Sequence, residues 1–255
     1  MTEQLPPRRS PAAWADPLPD ADVERALVVA AHPDDADFGA AGTVAGWVEA
    51  GVAVTLLLLT RGEQGGFDDT PRDQIPAIRE REQRAASAEL GVQDVRFLDG
   101  WSDGWLEPSW DLQRAIVRVI RQVRPERVLC QSPQRLLQRL QASHPDHLAA
   151  GEATVRAVYP AAENRFAWPE LLAEGLEAWK VTELWLMAHH DSPHAVDITD
   201  RFPRKVRALQ AHTSQTAHQG DGLEQMLRGW NAANAAQAGL PEGRLAELFA
   251  VSRIN

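Results

Sequence analysis

The sequence has little cysteine, comparatively few basic residues and no long apolar run. Its one cysteine, Cys130, cannot form a disulfide within the chain, which argues against a disulfide-stabilised secreted domain. Lys and Arg number 26 against 36 Asp and Glu, so the net charge is −10. Because nucleic acids are bound mainly through clustered basic side chains, this balance argues against a nucleic-acid partner.

The sequence also lacks the features of a membrane anchor or a signal peptide. A membrane helix needs about 18 consecutive apolar residues, and no apolar run is that long. Residues 1–22 are polar and Pro-rich, without the apolar centre of a signal peptide. We therefore expect a cytoplasmic protein with no membrane contact. Because a charged, Pro-rich segment buries little apolar surface, we expect residues 1–24 to form a flexible arm and residues 25–255 a single domain.

Short apolar runs alternate with segments of helical periodicity along the rest of the chain. The apolar runs are typical of strands that are covered on both faces, and they lie at 27–31, 52–60, 95–98, 128–130 and 180–187. The helical segments lie at 39–50, 75–90, 112–123 and 145–158. This alternation predicts an α/β fold, namely a three-layer, Rossmann-like and mainly parallel sheet with helices on both faces.

Potential metal ligands follow the first predicted strand. In open α/β sheets, function gathers in the loops beyond the carboxyl ends of the strands. The segment 32–37 reads HPDDAD and places the imidazole of His32 and three carboxylates in such a loop. Asp residues at a helix N-terminus can also satisfy free backbone N–H groups, but that alternative gives His32 no role.

A second cluster, SHPDH at 143–147, begins a predicted helix. Pro145 suits the first helical position, so His144 and His147 leave the same helix start. The positive end of the helix dipole helps to keep His147 neutral, as a metal ligand must be. A histidine that only caps the helix is the alternative. Together the clusters offer two histidines and a carboxylate, the ligand set of a catalytic zinc site that keeps an open position for water.

With these motifs the sequence resembles the LmbE-like or PIG-L-like zinc-dependent N-acetylglucosaminyl deacetylases, a family that includes mycothiol- and bacillithiol-pathway deacetylases. The resemblance rests on HPDD at 32–35 and HPDH at 144–147, in that order on an α/β background. The segment TRGEQG at 60–65 supports it. The similarity extends over roughly residues 27–250, which is nearly all of the chain outside the predicted arm.

The resemblance implies roles for individual residues. It implies that Asp34 is the general base and that His144 stays off the metal, where as an imidazolium it would stabilise the oxyanion or protonate the departing amine. Asp146 would orient a histidine from outside the ligand set. One Zn²⁺ per chain, or Fe²⁺ in the cell, would be bound by His32, Asp35 and His147.

The residues that would contact substrate are less clearly marked. Arg61 and Glu63 follow the second predicted strand, and the resemblance places them and Arg79 near the substrate. A polar turn and a solvated, charged helix face are the alternatives for these positions. Relatives often have a Tyr shortly before HPDH, whereas this chain has Gln141-Ala142-Ser143. Stabilisation of the oxyanion would then depend on the metal and on His144.

The expected function is therefore metal-dependent removal of an N-acyl group, most simply N-acetyl, from a small amino sugar or a conjugate of one. A homo-oligomer is left open. A carbohydrate-binding protein without catalysis, using some of the nine tryptophans, is one alternative. A Rossmann-type oxidoreductase is another, but the first strand is followed by HPDD where a dinucleotide site would have G-x-G-x-x-G.

Overall fold

The computed structural model describes residues 14–66, 68–138, 140–220 and 222–254, and within these ranges seven strands form one sheet in the spatial order β3-β2-β1-β4-β5-β7-β6. The strands are β1 (Arg25–Ala30), β2 (Ala53–Leu58), β3 (Asp94–Phe97), β4 (Arg127–Gln131), β5 (Glu183–Met187), β6 (His194–Asp197) and β7 (Ala246–Arg253). The helices are α1 (Asp35–Glu49), α2 (Ile75–Leu90), α3 (Trp110–Val123), α4 (Pro145–Arg156), α5 (Pro169–Ala173), α6 (Phe202–Ala211), α7 (Thr213–Thr216) and α8 (Gly222–Gln237).

The sheet is mainly parallel and is covered on both faces. Strands β3, β2, β1, β4 and β5 run parallel, and β7 pairs antiparallel with β5 and β6. Because successive side chains of a strand point to opposite faces, Val28 packs in a core with α1, α2 and α6, while Val29 packs in another with α3 and α4. The predicted three-layer α/β architecture is confirmed.

The C-terminal part of the sheet was not predicted. Helix α1 also begins at Asp35, four residues before the helical segment expected from the sequence. No elements were predicted beyond residue 187, where the chain forms α6, α8 and the antiparallel pair β6–β7. A third apolar cluster joins α6 to α8 through side chains that include Phe202 and Leu227. Among the described residues, no helix is both long enough and apolar enough to cross a membrane.

The segment predicted to be a flexible arm is partly packed against the sheet. Residues 1–13 lie outside the described residues. In residues 14–24, Ala15 donates its N–H to a carbonyl of β7 at 2.9 Å. The carboxylate of Asp20 lies 2.6 Å from the buried guanidinium of Arg127 at the start of β4. The folded unit therefore includes residues 14–24.

A buried ion pair joins α6 to β7. Lys205 Nζ lies 2.7 Å from Glu247 Oε1, and both side chains are 1% exposed. The Glu247 carboxylate also accepts hydrogen bonds from the backbone N–H groups of Gly42 and Thr43 in α1. The pair therefore connects three elements on one side of the sheet.

Replacing one partner of this pair should destabilise the fold. Lys205→Met leaves the Glu247 carboxylate buried without its cation, so we expect the free energy of unfolding to fall by about 3–5 kcal/mol. Arg207→Met is the matched control on the same helix, because Arg207 pairs with Glu89 at the surface, and it should cost less than about 1 kcal/mol. Urea unfolding of both variants measures the difference. Equal losses would show that the buried pair has no special role in stability.

Candidate active site

The candidate site lies where the order of the sheet reverses. Strands β1 and β4 are neighbours in the sheet, but β1 leads on to β2 on one side and β4 to β5 on the other. Loops that leave such a position in opposite directions open a crevice at the carboxyl edge of the sheet. His32 follows β1, and α4, which carries His147 and has His144 as its N-cap residue, follows β4.

The turn between β1 and α1 directs two adjacent carboxylates to different partners. Asp34 has a φ of 85°, a left-handed conformation that Asp tolerates better than most residues. Asp35 begins the helix, and its carboxylate accepts a hydrogen bond from the backbone N–H of His32 at 2.8 Å. As a result, Asp35 contacts His32 and His147, whereas Asp34 contacts Arg79.

The three predicted metal ligands come together. Asp35 Oδ1 lies 2.9 Å from His147 Nε2, and Asp35 Oδ2 lies 3.3 Å from His32 Nδ1. Two ligands of one tetrahedral ion, each about 2.1 Å from it, are separated by about 3.4 Å. The ligand atoms of His32, His144 and His147 also lie within 4.8 Å of one another. These nitrogen and carboxylate donors therefore suit a divalent transition metal.

Two further carboxylates fix the orientation of His32. Its Nε2 atom lies 3.0 Å from Asp103 and 3.1 Å from Asp146. Asp146 already accepts the backbone N–H groups of Gly104 and Leu106, so its position does not depend on a metal. When Nε2–H donates to these carboxylates, Nδ1 is left to bind a metal beside Asp35. The donor atoms of His32, Asp103 and Asp146 also lie within 4.8 Å of one another, so they form a second group that could hold a metal ion.

The carboxylates around His32 favour the charged form of its imidazole. Burial lowers the pKa of His32, but Asp35, Asp103 and Asp146 outweigh this effect and raise it to about 12. Burial opposes ionisation of Asp35, yet His147 and His32 hold its pKa well below the ordinary value. These carboxylates therefore favour a positive charge at the His32 imidazole.

His144 is placed differently from the expected imidazolium. Its Nδ1 atom accepts the backbone N–H of Asp146 at 3.2 Å, which leaves Nε2–H as its free donor. Burial and the neighbouring imidazoles of His32 and His147 lower its pKa. His144 is therefore a neutral hydrogen-bond donor beside the ligand set.

A buried network holds Asp34. Gln83 accepts the backbone N–H of Asp34 at 2.9 Å and donates to Asp37, which lies 2.9 Å from the buried His212. Burial is the largest influence on Asp34 and, although Arg79 opposes it, raises the pKa of this carboxyl to about 6. A carboxyl with such a pKa is suited to accept a proton near neutral pH.

Arg79, predicted from the resemblance to lie near the substrate, is buried and engaged within the protein. It is 4% exposed, and its guanidinium donates to the carbonyls of Gly62 and Pro33 and to Asp34. A Cβ atom at Gly62 would lie 2.0 Å from this guanidinium, so the glycine leaves the room that Arg79 occupies. Arg79 therefore holds the Asp34 carboxylate in position through a buried hydrogen bond.

Arg61 and Glu63 are also engaged within the protein. Arg61 pairs with Glu80 and Asp99, and Glu63 accepts the backbone N–H of Asp103. Neither they nor Arg79 line the cavity that reaches Asp35 and His147. The structure thus does not bring the three predicted substrate residues to this cavity.

Sequence reasoning missed several residues that the structure brings to the site. Asp103 follows β3 at the same edge of the sheet, so its position in a loop was the available signal. The amides Gln83 and Gln131 carried no such signal. Gln131, the last residue of β4, donates to Asp35 at 2.9 Å and accepts the N–H of Ala31.

Comparison with known proteins identifies the family. Residues 27–158 match the family described as PIG-L, GlcNAc-PI de-N-acetylase. The chain is 34% identical over 195 residues to the diacetylchitobiose deacetylase of Thermococcus kodakarensis, covering 76% of this chain and 71% of the relative. It is 33% identical over 198 residues to the probable N-acetyl-alpha-D-glucosaminyl L-malate deacetylase 2 of Bacillus anthracis, covering 75% and 81%.

Comparison of the fold with solved structures also finds deacetylases. The structure is similar to that of the N,N′-diacetylchitobiose deacetylase from Pyrococcus horikoshii, with a TM-score of 0.82 and 26% identity over 91% of this chain and 85% of that one. The relatives named here are deacetylases. The chain belongs to the PIG-L family, and the resemblance found in its motifs is confirmed.

Substitutions of three carboxylates should affect metal affinity to different extents. Asp35→Asn removes a charged ligand, so we expect metal affinity to fall more than about 100-fold. Asp103→Asn changes a partner of His32 that lies outside the predicted set of His32, Asp35 and His147, and it should cost about 10–100-fold. Asp34→Asn should leave affinity nearly unchanged. Competition with a zinc-chelating dye measures all three, and a larger loss for Asp34→Asn than for Asp35→Asn would contradict the assigned ligand set.

Proposed function

We propose that the chain is a zinc-dependent hydrolase that removes the N-acetyl group from an N-acetyl amino sugar or from a conjugate of one. The observation that carries the proposal is the convergence of His32, Asp35 and His147, with the separate carboxylate of Asp34 beside them. Family membership and the names of the relatives support deacetylation as the reaction. The nitrogen and oxygen donor set supports zinc as the metal.

The chemistry divides between the metal and the protein side chains. His32, Asp35 and His147 would hold a zinc ion, which would supply a Lewis acid able to lower the pKa of water toward about 7 and to polarise the acyl oxygen. Asp103 and Asp146 hold the His32 ring so that Nδ1 faces Asp35. The protein thereby keeps the donor atoms in place before substrate arrives.

Asp34 and His144 handle the proton and the developing charge. The Asp34 carboxylate accepts a proton from the attacking water as the new C–O bond forms, and returns it to the amide nitrogen as the C–N bond breaks. His144 donates its Nε2–H to the acyl oxygen while negative charge develops there. The new carboxylic acid group then passes the second proton of the water to the amine, so the products are a carboxylate and an ammonium ion. This neutral donor takes the role that the sequence analysis gives to an imidazolium.

Asp34→Asn should separate turnover from metal binding. An amide cannot accept the proton from water, so we expect kcat to fall about 10²–10⁴-fold while metal content stays normal. Deacetylation of an N-acetyl amino sugar, followed as release of free amine, and metal content of the same samples measure the two effects. An Asp34→Asn protein with an ordinary rate would remove Asp34 from the mechanism.

Arg79 should set the pH at which Asp34 works. The guanidinium lowers the pKa of Asp34, so Arg79→Met should raise that pKa and move the acidic limb of kcat/KM to higher pH. The rate should consequently fall more at about pH 6 than at about pH 8. Arg79→Lys keeps a cation and should keep more of the wild-type profile. A uniform loss of rate at every pH would mean that Arg79 supports the fold only.

Metal removal separates this function from a carbohydrate-binding protein without catalysis. Chelation should abolish deacetylation, and added zinc should restore it. Sugar binding with no hydrolysis, unaffected by metal, would instead favour the binding protein.

A further inference from the structure

A cavity of about 510 Å³ opens beside Asp35 and His147. This volume lies within the range of about 300–1,000 Å³ that is usual for small-molecule sites. Two of its walls lie away from the metal ligands. One is a face of α8, and the other is the turn after β5. The side chains of these walls that carry the argument are Trp230, Asn234, Gln237, His189 and His190.

The face of α8 presents an aromatic ring and two amides. Trp230, Asn234 and Gln237 are spaced by four and three residues, so they lie on one side of the helix. Leu223 and Leu227 are buried in the cluster with α6, which fixes the rotation of α8. Asn234 donates its Nδ2–H to the carbonyl of Ala246 at 3.1 Å, so its amide is oriented.

The turn after β5 is held in place by contacts with Trp14. Trp14 packs edge-on against His189 with ring centroids 4.9 Å apart, and its Nε1–H donates to Asp191 at 2.7 Å. His189 Nδ1 also lies 2.8 Å from the carbonyl oxygen of Asp191. This wall of the cavity is therefore fixed in place, and burial lowers the pKa of the His189 imidazole, which favours its neutral form.

None of the described residues that line the cavity is Lys or Arg; residue 139 is outside the described residues. Lys205 lies near Trp230, but it is buried and its Nζ is engaged by Glu247 and by the carbonyl of Phe38. A phosphate or carboxylate placed against α8 would lose hydration without gaining an ionic partner there. Hydroxyl groups, in contrast, match amides that donate and accept hydrogen bonds, and a tryptophan ring packs against the C–H face of a sugar.

We propose that this part of the cavity binds an uncharged saccharide portion of the substrate, with Trp230 as its stacking surface and Gln237 as a hydrogen-bonding residue. The proposal rests on the proposed deacetylase function and narrows its substrate class. The acetamido group would face Asp35 and His147, and the neutral remainder would lie along α8. Substrates whose remote substituent is anionic would be poor ones.

The experiment compares two probes that differ in charge. Methyl N-acetylglucosaminide is neutral, and N-acetylglucosamine 1-phosphate carries an anion at the same position. We expect wild-type kcat/KM to be higher for the neutral probe by about tenfold or more, because no Lys or Arg is among the described residues that line the cavity. A preference for the phosphate would overturn the proposal.

Charge variants on α8 test the location. Gln237→Arg supplies the missing cation, so we expect the ratio of kcat/KM for the phosphate to that for the neutral probe to rise about tenfold. Gln225→Arg makes the same change on an exposed part of α8 outside the cavity, and it should leave the ratio unchanged. Equal effects of the two variants would show that α8 does not border the bound substrate.

Tryptophan variants provide a readout that does not depend on catalysis. Calorimetric binding of methyl glucosaminide should weaken several-fold in Trp230→Ala, be largely retained in Trp230→Phe, and stay unchanged in Trp110→Ala, whose ring is 72% exposed elsewhere. If this pattern holds but no probe is hydrolysed, the proposed function fails and the binding surface stands. If hydrolysis occurs but Trp230→Ala binds the sugar as wild type does, the binding surface fails and the deacetylase function stands.

Discussion

The turn between β1 and α1 is the constraint on which the arrangement of the site depends. Because Asp34 adopts a left-handed backbone conformation, two carboxylates that are adjacent in sequence face different partners. Asp35 faces the two imidazoles of the ligand set, while Asp34 faces a guanidinium. Without this separation, two like charges would compete for one position. One could not then remain available for a proton while the other bound a cation.

Neutral amide side chains hold the two carboxylates of this turn in position. Gln131 orients Asp35, and Gln83 holds the backbone of Asp34, so neutral amides fix both positions. The positive charge of an arginine in direct contact with Asp35 would compete with a metal ion for the carboxylate. A neutral amide that donates a hydrogen bond orients the carboxylate without adding a positive charge. Among the described residues, the guanidinium that contacts this pair is that of Arg79, and it contacts Asp34, the residue that is proposed to bind no metal.

Much of this arrangement could be predicted from local sequence, and some of it could not. The apolar runs predicted the parallel core of the sheet, and the HPDD and HPDH motifs predicted two histidines and a carboxylate at its edge, because strand ends and helix starts are local features. The choice of Asp35 over Asp34 as the metal-binding carboxylate came only from the family resemblance. The burial of Arg79 could not be predicted, since a charged helical segment does not reveal that one guanidinium is buried against Gly62. Asp103 was missed because no motif marks it, although its loop follows β3 at the same edge of the sheet.

The candidate metal ligands and the side chains proposed to recognise the substrate lie in different parts of the chain. The ligand candidates lie within the matched residues 27–158, whereas His189 and the α8 side chains that line the cavity lie beyond them. The strand-end loops must keep a fixed geometry to hold a metal, but a helix that forms one wall of the cavity can exchange side chains without moving that geometry. A family whose members include chitobiose and malate-conjugate deacetylases could therefore vary recognition in its C-terminal elements. In this chain those elements present a tryptophan and two amides, so recognition would depend on shape and hydroxyl groups and not on charge.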